Sequence, residues 1–188
     1  KNEHRPHLGG SQIGNECSRA LWYQFRHAWS PNFEGRMLRL FETGDREEDR
    51  IVANLRAVGV TVWEKDPETG MQVRFEACGG HFAMSLDGVG EGFKESKKPH
   101  TLEFKTMNEK SFKATKSMGV KQSKPIYWAQ CQLGMHLAGL DRCFFFAVNK
   151  NTDEIYGERI RLDKAEAKLL ISKAENVVFS ALPPEKLS

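Results

Sequence analysis

The sequence predicts an α/β fold, in which a mixed β-sheet of roughly four to six strands is flanked by α-helices. Three observations predict it. Helical periodicity dominates the first third of the chain, apolar–polar alternation follows in residues 71–76 and again in 82–86, and Cys143–Val148 is a continuous apolar run typical of a central strand. The 188 residues suit one compact domain spanning 1–188, and 39% hydrophobic residues exclude a disordered chain.

Two helices are predicted before the first strand. Ser11 follows two glycines and is a good N-cap for a helix reaching about His27. A second helix should run from about residue 34 to 58, with a potential break near Gly44. Its C-terminal half carries an apolar stripe that must pack on the sheet.

Alternation and turn residues place the middle strands. We expect strands at 61–63 and 71–76, a glycine turn, a return strand ending at Asp87-Gly88, a polar loop at 91–99 and a strand at 100–105. Residues 106–124 are rich in lysine and poor in apolar residues, which predicts a basic surface segment. The remaining elements are a helix at 126–138, strands at 143–148 and 155–160, and a last helix to about 179 that opens on the capping box Asp163-x-x-Glu166.

Composition narrows the class of protein. The net charge of +3 is mildly basic and compatible with a nucleic-acid partner. No apolar run is long enough for a transmembrane helix, and the polar start Lys1-Asn2-Glu3-His4 predicts no signal peptide, with a leader trimmed before Lys1. The dispersed cysteines argue against a zinc or iron–sulfur site, so we expect four reduced thiols in a cytoplasmic protein.

Asp87 and Glu103-Phe104-Lys105 form the strongest chemical pattern. Residues two apart on a strand share a face, so Glu103 and Lys105 should lie together, with Phe104 on the core face. Two carboxylates on neighbouring strands suit Mg²⁺, and a nearby lysine can act on an attacking water or on phosphate charge. Taken singly, however, Asp-Gly is usually a turn and Glu-x-Lys an ordinary strand pattern.

Two further polar residues fall on apolar helix faces. On a helical wheel Glu48 is centred among Ile51, Val52 and Leu55, where a buried carboxylate needs a cation or a donor. Its neighbour Glu47 should point to solvent. Gln130 lies on the inward face of the helix at 126–138, which implies a buried hydrogen-bonding task. For Glu48 the plainer alternative is an acid in a first helical turn, stabilised by the helix dipole. For Gln130 it is an ordinary glutamine at the edge of the core.

The ordered set of motifs resembles a known family. Gly44-x-x-x-Glu48, Asp87-Gly88, Glu103-Phe104-Lys105 and Tyr127-x-Ala129-Gln130-x-Gln132-x-x-Met135 occur in this order across residues 11–160. This pattern looks like the PD-(D/E)XK nuclease superfamily, and within it the RecB-like and phage lambda-type exonucleases. Each motif is weak alone, and the ordered set is fairly specific.

The resemblance implies that the α/β fold has a restriction-endonuclease-like core, and it implies a catalytic site with a metal cofactor. Asp87, Glu103 and the Phe104 carbonyl would bind Mg²⁺ or Mn²⁺, with Glu48 doing so directly or through water. Lys105 would act on the attacking water, and Gln130 would position the lysine or the substrate. The DNA contacts implied or suggested by position and charge are Ser11, Arg19, Lys110, Lys113, Lys116 and Lys150.

The sequence also departs from the family. The His that often precedes the first acid is absent, Gly134 replaces a common Tyr, and Cys17 lacks the C-terminal cysteines of an iron–sulfur relative, so we interpret it as structural.

The resemblance implies an exonuclease at duplex DNA ends, in phage-type recombination or repair, with a single-strand-annealing partner and a homo-oligomer as further expectations. A structure-specific endonuclease and an inactive DNA-binding module of the same fold stay open as alternatives.

Overall fold

The computed structural model describes residues 6–28, 32–94 and 96–186. In this part of the chain the helices are α1 Ser18–Phe25, α2 Gly35–Ala57, α3 Glu109–Ser123, α4 Pro125–Leu137 and α5 Lys164–Phe179. The strands are β1 Leu8–Gly9, β2 Thr61–Trp63, β3 Arg74–Ala77, β4 Phe82–Ser85, β5 Gly88–Glu91, β6 His100–Met107, β7 Arg142–Asn149 and β8 Ile155–Arg161.

The strands form two sheets. The larger has the order β2-β5-β6-β7-β8, in which β6 and β7 are parallel and the other pairs antiparallel. The smaller has the order β1-β4-β3, with β1 parallel to β4. The predicted α/β architecture, a mixed sheet flanked by helices, is therefore confirmed, with a second sheet that the sequence did not indicate.

Strand β6 is covered on both faces. Leu102 and Phe104 pack with Ile51 and Val52 of α2. The opposite face is covered by α3 and α4, whose buried residues include Phe112 and Met135. The predicted core face that carries Phe104 is therefore confirmed. The opposite face is largely buried too, because the neighbouring strand β7 and the helices on both sides enclose this strand.

The chain passes from the small sheet to the large one at Asp87. Strand β4 ends at Ser85 and β5 begins at Gly88, so these strands are joined by only two residues. Strand β5 was missed in the sequence, where the return strand was expected to end here. Its residues Val89 and Glu91 alternate with glycines, which weakens the strand signal.

The first helix begins later than predicted. Ser11 lies in a short 3₁₀ helix, Gly10–Gln12, and α1 is capped instead by Cys17, whose Sγ accepts from the Ala20 N–H at 3.4 Å. The segment before it is held close to β4 and α4. A Cβ on Gly10 would lie 2.7 Å from Met84 Cβ, and one on Gly14 would lie 2.6 Å from Ile126 Cα.

Helix α2 is continuous through Gly44, contrary to the expected break. A single glycine inside a helix costs only about 1 kcal/mol relative to alanine, which the packing of the C-terminal half outweighs.

The lysine-rich segment, which was predicted as a basic surface segment, forms the helix α3 with its lysines exposed. Asn108 Oδ1 caps it by accepting from the Ser111 N–H at 2.8 Å, and Phe112 and Val120 are fully buried. Gly119, at φ 76°, interrupts the regular helix. These few apolar contacts were hidden among the lysines.

The other predicted elements are confirmed within one or two residues at their ends, except that β3 starts at Arg74 rather than at 71. Asp163 caps α5 by accepting from the N–H groups of Ala165 and Glu166. Among the described helices, none combines the length and the apolar character needed to span a membrane.

Candidate active site

The site lies where β5 and β6 separate, a place that we call the fork. The two strands pair only as far as Gly88 and Leu102, so the next backbone N–H of β6 on this edge has no strand partner. Asp87 takes that place, because its Oδ2 accepts from the Phe104 N–H at 2.7 Å. The carboxylate is therefore fixed beside Glu103 by the geometry of the fork.

Glu103 and Lys105 lie on one face of β6, as their spacing predicted. The Glu103 side chain is 2% exposed and forms an ion pair with the Lys105 ammonium, whose side chain is 21% exposed. The same ammonium donates to the Phe104 carbonyl at 3.0 Å and lies 5.4 Å from the centre of the Tyr127 ring. Two of the oxygens predicted to bind metal thus already contact a cation.

Glu48 reaches this cluster from α2. It lines the same cavity as Asp87, while Ile51, Val52 and Leu55 are buried against the sheet. The helical phase that placed Glu48 towards Asp87 is confirmed.

The companion prediction for Glu47 was wrong. Its side chain is only 19% exposed and pairs with Arg50 Nε at 3.0 Å instead of pointing to solvent. Arg50 lies about one turn after Glu47 on α2, and the ion pair holds the Glu47 carboxylate against the helix surface.

The carboxyl groups of the cluster resist ionisation. Burial, reinforced by Asp87, raises the pKa of Glu48 to about 7, and burial raises the pKa of Glu103 to about 8 despite Lys105 beside it. Burial also raises the pKa of Asp87. Burial lowers the pKa of Lys105, but Glu103 and Asp87 more than offset this, so its net pKa is raised. Three acids therefore share one ammonium in a partly desolvated place.

A cavity of about 460 Å³ opens on the cluster. Glu48, Asp87 and Gln130 form part of its wall, and Ser11 with the adjacent Gly9 and Gly10 forms another part. Gln130 is 7% exposed, so its amide is buried as predicted. The structure therefore brings Ser11 and Gln130 to the acids although they are 119 residues apart in sequence.

Other polar residues on this cavity were missed. His7, Gln72 and Arg74 line it together with Ala83 and Ser85 of β4. The signal for two of them was present, since Gln72 and Arg74 occupy the polar positions of an alternating strand. Nothing local, however, showed that this polar face would lie beside the acids rather than in open solvent.

The remaining predicted DNA contacts lie away from this cavity. Arg19 donates to the Pro184 carbonyl at 2.9 Å and to the Tyr23 hydroxyl, so it joins α1 to the C-terminal segment. Lys110 and Lys150 are exposed. Lys113 pairs with Glu109 at 2.6 Å, and Lys116 pairs with Glu154 at 3.2 Å. Their contact with DNA stays a prediction.

The residues at the fork fit a divalent cation by their chemistry. Asp87, Glu103 and the Phe104 carbonyl supply hard oxygen donors. Burial raises the pKa of both carboxyl groups, and a bound cation would favour their charged forms. Among the described residues, no group of three or more His, Cys, Asp or Glu side chains is already arranged to hold a metal ion. Metal binding would therefore require the side chains of Glu48, Asp87 and Glu103 to adjust.

Comparison with known proteins was made at the levels of sequence and fold. No protein-family model matches the chain, and no curated protein matches it. Among solved structures, it is similar to the alkaline exonuclease LHK-Exo of Laribacter hongkongensis, with a TM-score of 0.64 and 18% identity, covering 93% of this chain and 87% of that one.

Two more structures are similar to the chain. The complex of LHK-Exo with dAMP has a TM-score of 0.62 and 15% identity, covering 92% of this chain and 86% of that one. A protein known as SSO0001 has a TM-score of 0.55 and 14% identity, covering 94% and 77%.

At these identities the likeness concerns the fold, and it extends over more than nine-tenths of the chain. The α/β fold that the ordered motifs implied is therefore confirmed: the chain has a fold similar to that of the alkaline exonuclease LHK-Exo.

Proposed function

We propose that the protein is a Mg²⁺- or Mn²⁺-dependent deoxyribonuclease that hydrolyses phosphodiester bonds at duplex DNA ends. The observation that carries the proposal is the meeting of Glu48, Asp87, Glu103 and Lys105 beside one cavity, in a fold similar to that of an exonuclease. A binding module has no need for three crowded acids around a lysine, since their repulsion costs stability.

Each residue has a role that its position supports. Asp87 and Glu103, with the Phe104 carbonyl, would hold the cation, and Glu48 would complete the set directly or through water. A bound divalent cation would supply charge stabilisation for the phosphate and acidify a water molecule. Lys105, held by Glu103 and the Phe104 carbonyl, would orient that water or stabilise the developing charge.

Gln130 and Ser11 would contact the substrate or the lysine from the wall of the cavity. Both have groups that can donate a hydrogen bond to phosphate oxygens, and both line the cavity with Glu48 and Asp87. Neither carries a charge, so we assign them to orientation rather than to binding strength.

The wider role follows from the same resemblance. The solved complex of LHK-Exo contains dAMP, a DNA mononucleotide, which supports a DNA substrate for this chain. We propose action at duplex ends in phage-type recombination or repair, in the cytoplasm of a bacterium or of a phage-infected cell. A single-strand-annealing protein and further copies of the chain are the proposed partners.

The direct test is digestion of end-labelled linear duplex DNA with Mg²⁺ or Mn²⁺, with EDTA and Asp87→Asn as controls. Release of labelled nucleotides that stops with EDTA and with the variant is expected. Closed circular duplex is the matched substrate, because an exonuclease spares it. Nicking of the circle would instead indicate an endonuclease, and metal-independent binding without cleavage of either substrate would indicate a binding module.

A further inference from the structure

The wall of the cavity formed by β3 and β4 continues directly from the acids. Ser85 lies two residues before Asp87, and Arg74 is its partner in the β3–β4 ladder. Residues directly opposite in an antiparallel pair share a face, and Ala83, two residues before Ser85, lies on that face too. All three line the cavity. This polar face of the small sheet therefore lines the same cavity as Asp87.

Acidic groups outnumber basic groups at the cavity. Glu48 and Asp87 line it, and Glu103 lies next to them. Among the described residues that line the cavity, Arg74 is the one with a permanent positive charge. The proposed divalent cation and Lys105 would offset the acids at the cleaved phosphate. A cation elsewhere on the wall would attract a flanking phosphate of the polyanionic strand.

We propose that Arg74 binds a backbone phosphate of the DNA strand next to the phosphate that is cleaved. The inference rests on the proposed nuclease function and adds a substrate-positioning residue that the motif set does not contain. Arginine suits the task because its planar fork matches two phosphate oxygens at once.

Arg74 can exchange its present partner. It pairs with Glu76, two residues along the same strand, at 2.8 Å, and the side chains are 42% and 55% exposed. Exposed pairs of this kind contribute little and are screened by salt. A phosphate bound in the cavity could pair with the Arg74 guanidinium in place of Glu76, because it carries at least the charge of a carboxylate. The Glu76 carboxylate would then be solvated by water.

The shape of the wall leaves room for this contact. Gly9, Gly10, Ala83 and Ser85 present small or absent side chains to the cavity, so a sugar–phosphate chain can come close to the sheet. The volume of about 460 Å³ lies within the range of roughly 300–1,000 Å³ that holds small ligands. A nucleotide unit can therefore lie between Arg74 and the acids.

The experiment compares Arg74→Gln, Arg74→Lys and the matched control Glu76→Gln on end-labelled duplex over a range of salt concentrations. For Arg74→Gln we expect the KM to rise about tenfold with kcat within about twofold, the pattern of a lost binding contact. The dependence of log KM on log salt should flatten by about one unit, since one fewer counterion is released. Arg74→Lys should restore the salt slope and part of the KM, and Glu76→Gln should not raise the KM.

An unchanged KM and salt slope in Arg74→Gln, with the wild type active, would overturn the inference. A fall in kcat with an unchanged KM would overturn it too, because that pattern places Arg74 in the chemical step. If the wild type does not cleave, the proposed function fails instead. Equilibrium binding of duplex to the wild type and to Arg74→Gln in EDTA then tests the phosphate contact by itself: equal affinity and equal salt slopes would contradict it, and weaker binding with a flatter slope would support it.

Discussion

Two charged regions of this molecule differ in how their charges are balanced. In the acid cluster, Glu48, Asp87 and Glu103 share a single close ammonium, and their pKa values are all raised by burial. On helix α3 the lysines are exposed, and two of them are paired: Lys113 with Glu109 of the same helix at 2.6 Å, and Lys116 with Glu154 at 3.2 Å. The first region stores unfavourable electrostatic free energy, and the second does not.

The difference shows which charges point to function. A compensated surface pair is worth about 0–1 kcal/mol and indicates little beyond solubility. Buried like charges persist only where something else in the molecule or its ligands makes them useful. The acid cluster is therefore where large effects of mutation are expected, and α3 is where small ones are.

The largest effect is expected from Asp87→Asn. The amide can still accept from the Phe104 N–H, so the fork should keep its shape, but it cannot supply the charge that holds a divalent cation. Cleavage of linear duplex should fall by roughly a thousandfold or more while DNA affinity in EDTA stays within a few-fold. Wild-type turnover by the purified variant would contradict the assignment of Asp87 as a metal ligand.

Glu48→Gln and Glu47→Gln separate neighbouring acids on α2. Glu48→Gln should lose both activity and the thermal stabilisation given by Mn²⁺, which is about 2.7 kcal/mol when the metal is at a hundred times its Kd. Glu47→Gln should keep both and lose only a surface pair with Arg50. The measurement is a thermal melt of each variant with and without Mn²⁺, and equal behaviour of the variants would contradict the helix phase.

The raised pKa of Glu103 predicts how stability depends on pH. An acid whose pKa rises from 4.5 unfolded to about 8 folded contributes stability that is fully present below pH 4.5 and is lost as the pH rises towards 8. Between pH 5 and pH 8.5, the metal-free wild type should therefore lose on the order of 4 kcal/mol of unfolding free energy more than Glu103→Gln does.

The stabilisation by Mn²⁺ should grow over the same pH range, because protons and metal compete for the same carboxylates. Denaturant unfolding at several pH values measures both effects. Parallel pH curves for the wild type and Glu103→Gln would show that this carboxyl group does not change its pKa on folding.

The smallest effect is expected on α3. Replacing Lys110, Lys113 and Lys116 together with Gln should weaken duplex binding by less than about tenfold and lower the salt slope by less than three units, since their carboxylate partners already offset part of the charge. Fluorescence titration of labelled duplex at several salt concentrations measures both quantities. A loss of the full three units would make α3 a principal DNA surface and would break the contrast with the acid cluster.

Local patterns were enough to predict where the acids and the lysine of the candidate site lie. The position of Glu48 follows from helical phase alone, and that of Glu103 and Lys105 follows from the two-residue repeat of a strand. Asp87 was predicted beside Glu103 from the end of the return strand, and it lies there because the missed strand β5, which begins at Gly88, pairs with β6. These inferences need no contact between distant segments beyond the neighbouring strand.

The rest of the site depends on distant contacts that no local pattern contains. The parallel pairing of Leu8 with Phe82 brings the segment of His7 and Ser11 to the cavity, and the sequence offered no sign of a second sheet. The partners of the α3 lysines are likewise remote, as Lys116 meets Glu154 38 residues away. Charge counts along the chain therefore showed neither the ion pairs of the α3 lysines nor the position of Arg74 at the cavity.

We propose that Asp87, Glu103 and Glu48 form one metal centre. Anomalous diffraction from crystals of the wild type, grown with Mn²⁺ at concentrations that support cleavage, tests this directly. We expect an anomalous peak bound by the carboxylates of Asp87 and Glu103 and the Phe104 carbonyl, with Glu48 in direct or water-mediated reach. A peak elsewhere, or none at this position, would contradict it.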